Sequence, residues 1–232
     1  MHTQINVLYI KVGNITKTAL KDTKRKELIS GIKKSPVAKA YLTKTGFLTD
    51  KQADLAHHGG ENKALFLFSQ DTFYKINQAC KTDFSIDTVA YFGENLILSN
   101  ICEEDVFIGD IYQIGDTLVQ ITQPRQPCWK LSANTGVKEM TKFIFQSGYT
   151  GWYAKVLQEG SIAQNDSMNL IKRVENELSI SVLNKLMLHP NFDERLTKKA
   201  VSSQLLGKPF LESLQKRFHF KENDEQFKVY HT

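Results

Sequence analysis

The feature that most constrains the fold is a run of short apolar segments between Gly93 and Gln123 with no helix-length pattern between them. Asn95 to Leu98, Val106 to Ile108, Ile111 to Ile114 and Thr117 to Thr122 are separated by Gly109-Asp110 and Gly115-Asp116. Gly-Asp pairs suit tight antiparallel connections, because glycine takes the positive φ such turns need. A parallel sheet needs long crossovers, usually helical, so a Rossmann-type fold is disfavoured. The spacing predicts an α+β chain with a mostly antiparallel small β-barrel. Further strands are expected at Ile5 to Val12, Val37 to Leu42, Lys63 to Ser69, Trp152 to Leu157 and Met168 to Ile171.

Flanking helices are expected after Asp71, which can cap a helix through about Cys80, and over Val137 to Gln146, where Val137, Met140 and Ile144 share a face. Gly13 to Pro36 reads as loop. Beyond Val174 the pattern changes. Leu178 to Leu188, Asp193 to Leu206 and Pro209 to Phe218 each look helical, with short links at His189-Pro190-Asn191 and Gly207-Lys208-Pro209. The expected organisation is therefore a barrel domain over 1–173 and a small three-helix C-terminal subdomain over 174–232.

Composition closes off several classes. The chain has 232 residues, 41% hydrophobic and 24% charged, so it is no disordered or collagenous chain. No apolar run approaches the ~18 residues that span a bilayer. Met1-His2-Thr3-Gln4 lacks a basic leader, and three cysteines do not make a secreted disulfide framework, so a cytoplasmic protein is expected. Residues 11–51 hold eleven basic and three acidic side chains, net +8, against −3 for the remainder. That is either a solvated surface or a basic rim for an anionic ligand such as a phosphate. Duplex DNA is disfavoured, because no nucleic-acid motif accompanies the charge and only five of 30 basic residues are Arg.

The sharpest chemical segment is Gln123-Pro124-Arg125-Gln126-Pro127-Cys128-Trp129-Lys130. Two prolines fix φ on either side of Arg125 and would hold Cys128 in one place. Arg125 and Lys130 would favour the thiolate. The bland alternative is an inert buried Cys beside Trp129. Cys80 and Cys102 read as packing residues. In His57-His58-Gly59-Gly60, paired glycines expose amides to an anion and the imidazole can act as acid or base; the alternative is an ordinary turn. Zinc-site spacing, phosphate-loop glycines and a Gly-x-Ser-x-Gly elbow are absent from the sequence.

These segments together resemble one family. His58-Gly59-Gly60-(x)2-Lys63-Ala64-Leu65, Phe92-Gly93-Glu94-Asn95-Leu96, Ile108-Gly109-Asp110, the Gln123 to Leu131 segment and Gly148-(x)2-Gly151-Trp152-Tyr153 occur in the order seen in MOSC domain proteins, most similarly in their YiiM-like branch. The C-terminal helices resemble that branch's three-helix extension. The resemblance implies a β-barrel that binds the molybdenum cofactor, a pterin with a dithiolene and a phosphate (molybdopterin). Cys128 would be the protein ligand to the metal. His58 and Arg125 would deliver protons and stabilise charge beside it. Lys34, in Ser30-Gly31-Ile32-(x)-Lys34, would meet the pterin phosphate. Gly59, Gly60, Lys63, Gly93, Glu94, Asn95, Arg125 and Lys130 would be further cofactor contacts.

The implied activity is reduction of small N-hydroxylated compounds, such as hydroxylaminopurines, to amines, a detoxifying oxidoreductase reaction. No flavin or nicotinamide fingerprint is present, so electrons would come from a separate reductase. An alternative implied by the same resemblance is a sulfur carrier with a persulfide on Cys128. A third reading is a non-catalytic binding module that uses the basic segment.

Overall fold

The computed structural model describes residues 4–20, 26–53 and 59–220. In chain order the first strands are β1 (Val7–Val12), β2 (Thr16–Ala19), β3 (Glu27–Ser30), β4 (Ser35–Val37), β5 (Lys39–Thr43) and β6 (Gly46–Phe47). A 3-10 turn over Glu61–Lys63 leads into β7 (Leu65–Ser69) and helix α1 (Gln70–Cys80). Then come β8 (Leu96–Leu98), β9 (Ile111–Ile114) and β10 (Thr117–Pro124), followed by α2 (Trp129–Thr135) and α3 (Met140–Ser147). Strands β11 (Trp152–Gln158), β12 (Gly160–Ala163) and β13 (Met168–Lys172) precede α4 (Ile180–Leu188), α5 (Glu194–Val201) and α6 (Lys208–Phe220).

Eight strands form one sheet in the order β13-β9-β10-β11-β7-β8-β1-β4. Every ladder in it is antiparallel except β7–β8, where Leu67 sits opposite Leu96 in parallel register. The connection between those two strands contains α1, as a parallel crossover requires. The class is α+β as expected, but the sheet does not close into a barrel. The end strand β4 has three residues and carries Pro36, which has no N–H to extend a ladder. The chain then leaves the sheet, and β5 pairs with β12 and β6 instead. Between β1 and the β12–β13 link there is an isolated bridge from Asn6 to Ser167, with main-chain bonds such as Met168 N–H to Ile5 O beside it, but no continuous ladder among the described residues.

Strand β7 shows why its apolar run is continuous. Leu65 and Leu67 enter one core with Val7, Ile10, Leu96, Ile121 and Trp152, while Phe66 and Phe68 enter another with Phe73, Phe92, Leu131 and Ile144. Both faces are covered, so no alternation survives. The cap of helix α1 lies two residues before the expected one: Ser69 Oγ accepts from the amides of Asp71 and Thr72. The Gly115-Asp116 pair forms the β9–β10 hairpin, with Gly115 at φ +53° and Ile114 opposite Thr117. Val106 to Ile108 is no strand, because Asp110 folds back to accept from the Phe107 amide and from Arg173.

Three C-terminal helices form as expected, except that α5 ends at Val201 and does not reach Leu206. Ser179 caps α4 and Asp193 caps α5. Leu183, Leu186, Ala200, Phe210 and Leu214 pack with Ile108 in a third apolar cluster. The main chain ties the helices to the sheet, since the Ile180 amide donates to Val106 O and the Gly207 amide to Thr122 O. No helix among the described residues is long and apolar enough to cross a membrane.

Candidate functional site

The loop after β10 is built as its prolines suggest. Arg125 extends the β10–β11 ladder by one bond, donating its amide to Gly151 O at 3.2 Å. The chain then passes Pro127 and reaches Cys128, which is extended (φ −134°) and stands at the N-cap of α2. The Cys128 carbonyl accepts from the Leu131 amide at 2.9 Å and from Thr141 Oγ1 at 3.0 Å. The backbone on both sides of the thiol is thus fixed by hydrogen bonds within the core.

Cys128 lines a cleft that opens to solvent. Four basic side chains share the lining: Lys34, Lys63, Arg125 and Lys130. Lys34 (6% exposed), Lys63 (8%) and Arg125 (7%) are nearly buried, as is Cys128 (8%), so the cations converge inward rather than wave in solvent. Lys34 is held from behind. Its Nζ lies 2.7 Å from Asp50 Oδ2, and Asp50 also accepts from the Gly13 amide and from Asn95 Nδ2. Asn95 in turn accepts from the Phe66 amide and donates to Lys11 O. One polar network therefore joins β1, the β3–β4 link, β7 and β8 beneath the cleft.

Aromatic faces complete the walls. Phe66, Phe92 and Tyr153 line the cleft, with the Phe66 and Tyr153 rings 5.0 Å apart. The Arg125 guanidinium lies over Phe66 at 5.9 Å, and Lys63 Nζ lies 6.0 Å from the Tyr153 ring centre. Burial pushes the Tyr153 phenol above its ordinary value, while Arg125, hydrogen-bonded to it, opposes the shift. At Gly31 a side chain would put Cβ 2.3 Å from Lys51 O, so only glycine lets β3 close this edge of the cleft.

The structure brings together most of the residues that the sequence singles out. Cys128, Arg125, Lys34, Lys63, Gly93, Asn95 and Lys130 all face the cleft. Glu94 does not; it is fully buried and paired with Lys11. Gly59 and Gly60 are not in the lining, although Gly60, at φ +94°, opens the 3-10 turn that delivers Lys63. His58 lies outside the described residues. Asp50, Phe66, Phe92 and Tyr153 were not expected at the site. Strand alternation carried a partial signal for Phe66, but which face of β7 would meet the Cys128 loop depends on the sheet order. Among the described residues no group of three or more His, Cys, Asp or Glu side chains could hold a metal ion. Cys102 sits elsewhere, hydrogen-bonded to Asp105, and burial with that carboxylate pushes its thiol up to about 12.

The donor set suits a group that brings its own soft ligands and an anionic tail. A single thiolate completes a sulfur-rich coordination shell. Lysines meet a phosphate as point charges, and flat aromatic faces accept a fused heteroaromatic ring.

Comparison with known proteins agrees with this geometry. The MOSC domain family matches residues 54–169. The chain is 34% identical to YflK of Bacillus subtilis (strain 168) over 193 residues, which cover 83% of this chain and 86% of that protein. It is 31% identical over 169 residues to a protein of Gibberella moniliformis named "Reductase"; that match covers 72% of this chain and 29% of the fungal protein. The crystal structure of YiiM from Geobacillus stearothermophilus superposes with a TM-score of 0.74 at 31% identity, covering 92% of this chain and 99% of that one. With the family's span, these relatives and this fold in agreement, the chain belongs to the MOSC domain family as a YiiM-like member.

Proposed function

We propose that the protein is a molybdenum cofactor-dependent oxidoreductase that reduces N-hydroxylated compounds, hydroxylaminopurines among them, to amines. The observation that carries the reading is the convergence of one buried thiol, Cys128, with Lys34, Lys63, Arg125 and Lys130 in a single cleft. Family membership supports it, and so does the fungal relative whose name is "Reductase".

In this reading Cys128 holds the metal through its thiolate. Lys34, Lys63 and Lys130 balance the phosphate, and Phe66, Phe92 and Tyr153 offer flat surfaces to the rings. When bound, the cofactor supplies the two-electron redox chemistry, and the protein supplies ligation, orientation and protons. Converting R–NHOH to R–NH2 and water takes two electrons and two protons. The electrons come from a separate reductase. Arg125 stays charged throughout and stabilises the negative charge that develops on the departing oxygen. Tyr153 and Phe66 hold its guanidinium in place. His58 is the proton donor in this proposal, on the strength of its motif alone.

The test is reduction of a hydroxylaminopurine by protein from a cofactor-producing host, with a chemically reduced viologen as electron donor. Cys128→Ser abolishes turnover, while Cys80→Ser and Cys102→Ala keep most of it. Equal loss from Cys80→Ser, or full activity in Cys128→Ser, contradicts the proposal.

A further inference from the structure

Glu103 is a buried carboxyl that the mechanism above does not use. It is 3% exposed and lies in the segment between β8 and β9, outside every motif that the sequence singles out. Its Oε2 receives Thr72 Oγ1 at 2.6 Å and its Oε1 receives the Gly151 amide at 3.0 Å. Its own carbonyl accepts from the Ser181 amide at 2.9 Å. Among the described residues no cation pairs with it. A buried carboxyl without a cation is costly, so the side chain is best understood through the groups it holds.

Gly151 is the informative partner. It sits at φ +64° against β7, where an added Cβ would stand 2.6 Å from Leu67 O. Its amide is fixed by Glu103 and its carbonyl accepts the Arg125 amide at 3.2 Å. That bond is where β10 ends and the cleft loop begins. Pro124 and Pro127 have no N–H to offer, so the loop has few other main-chain donors with which to hold its place. A shift of Gly151 moves Arg125 directly, and Cys128 lies three residues further on.

We propose that Glu103 is a positioning residue for the Arg125–Cys128 loop, acting through Gly151. The proposal rests on the functional reading only in taking Cys128 as the working thiol.

The experiment uses the full chain carrying Cys80→Ser and Cys102→Ala, made in a host that lacks the cofactor, so that Cys128 alone reports. Iodoacetamide alkylation of Cys128 and hydrogen exchange of the Arg125 amide are measured together with the melting temperature. Glu103→Asp draws the acceptor back from Gly151, and both rates rise threefold or more. Glu103→Gln keeps an oxygen acceptor, and both rates stay within twofold. Thr72→Val removes the other partner; it lowers the melting temperature but leaves both rates within twofold. Unchanged rates in Glu103→Asp, or equal rises in Thr72→Val, overturn the proposal. Should no Glu103 variant fold, exchange in the parent chain decides. The Gly151 and Arg125 amides exchange in step, and exchange of Arg125 as fast as an open-loop amide overturns it. None of these readouts depends on molybdenum or turnover, so the positioning role and the proposed activity stand or fall separately.

Discussion

Lys11 Nζ lies 2.8 Å from Glu94 Oε1, with both side chains wholly removed from solvent. The second carboxylate oxygen accepts the Phe92 amide at 2.9 Å. Glu94 therefore bends the Phe92-Gly93-Glu94-Asn95 turn so that Gly93 and Asn95 face the cleft while Glu94 faces β1. Glu94→Ala leaves an unpaired ammonium in the core, and the expected loss is about 3–5 kcal/mol by urea unfolding. Lys11→Met combined with Glu94→Leu recovers most of it, because an apolar pair of similar volume avoids the desolvation cost. A loss below about 1 kcal/mol in the single variant, the scale of an exposed ion pair, would remove this bracing role.

The Lys34–Asp50 pair makes a prediction about anions. Asp50 neutralises Lys34 from behind while Asn95 and the Gly13 amide hold the carboxylate in place. Lys34→Met weakens binding of inorganic phosphate on the order of tenfold, which is about 1.4 kcal/mol. Asp50→Asn keeps the shape, removes a negative charge and tightens the same binding several-fold. Titration calorimetry at low salt separates the two. Equal weakening in both variants would mean that the pair only supports the fold.

Much of this was legible in the sequence, and the exceptions have physical reasons. The strands β7 and β11, the Gly115-Asp116 hairpin and the three C-terminal helices follow from local pattern, because their apolar periodicity or turn chemistry is complete within a few residues. The β2–β3 ribbon was hidden in a polar stretch, since Leu28 is its one buried apolar side chain. Helix α2 has little apolar periodicity; Thr141 Oγ1, bonded to Cys128 O and Ser132 Oγ, anchors its first turn from a distance. Closure of the barrel was not a local property at all. It turned on whether β4, with Pro36, could continue a ladder.

At the site, the contiguous Arg125 to Lys130 segment could be read directly. Asp50, Phe92 and Tyr153 could not, because their facing depends on register: Tyr153 meets the cleft by pairing opposite Gln123 on one side and Phe66 on the other.

Glu103 also gives the fold a pH signature. Burial pushes its carboxyl above the ordinary value, against the opposing pull of Thr72 and the Gly151 amide. A group whose folded-state pKa is raised contributes most at low pH, and that contribution is lost as pH climbs from the unfolded value through the folded one. Glu103→Gln lacks this loss. Its melting temperature relative to the parent therefore rises, and does not fall, across a series from about pH 4 to pH 7. A difference that stays constant over that range, or runs the other way, would show that the carboxyl titrates as an exposed one does.

The central claim is that Cys128 holds a molybdenum cofactor in the basic cleft, and metal and pterin content tests it most directly. The full chain and Cys128→Ser are purified from a host that makes the cofactor, and molybdenum, pterin and cyanolysable sulfur are measured per chain. The account predicts about one molybdenum and one pterin in the parent chain, and loss of molybdenum in Cys128→Ser with the fold intact. A parent chain without molybdenum or pterin, carrying a cyanolysable sulfur that disappears with Cys128, would contradict it and identify a sulfur carrier instead.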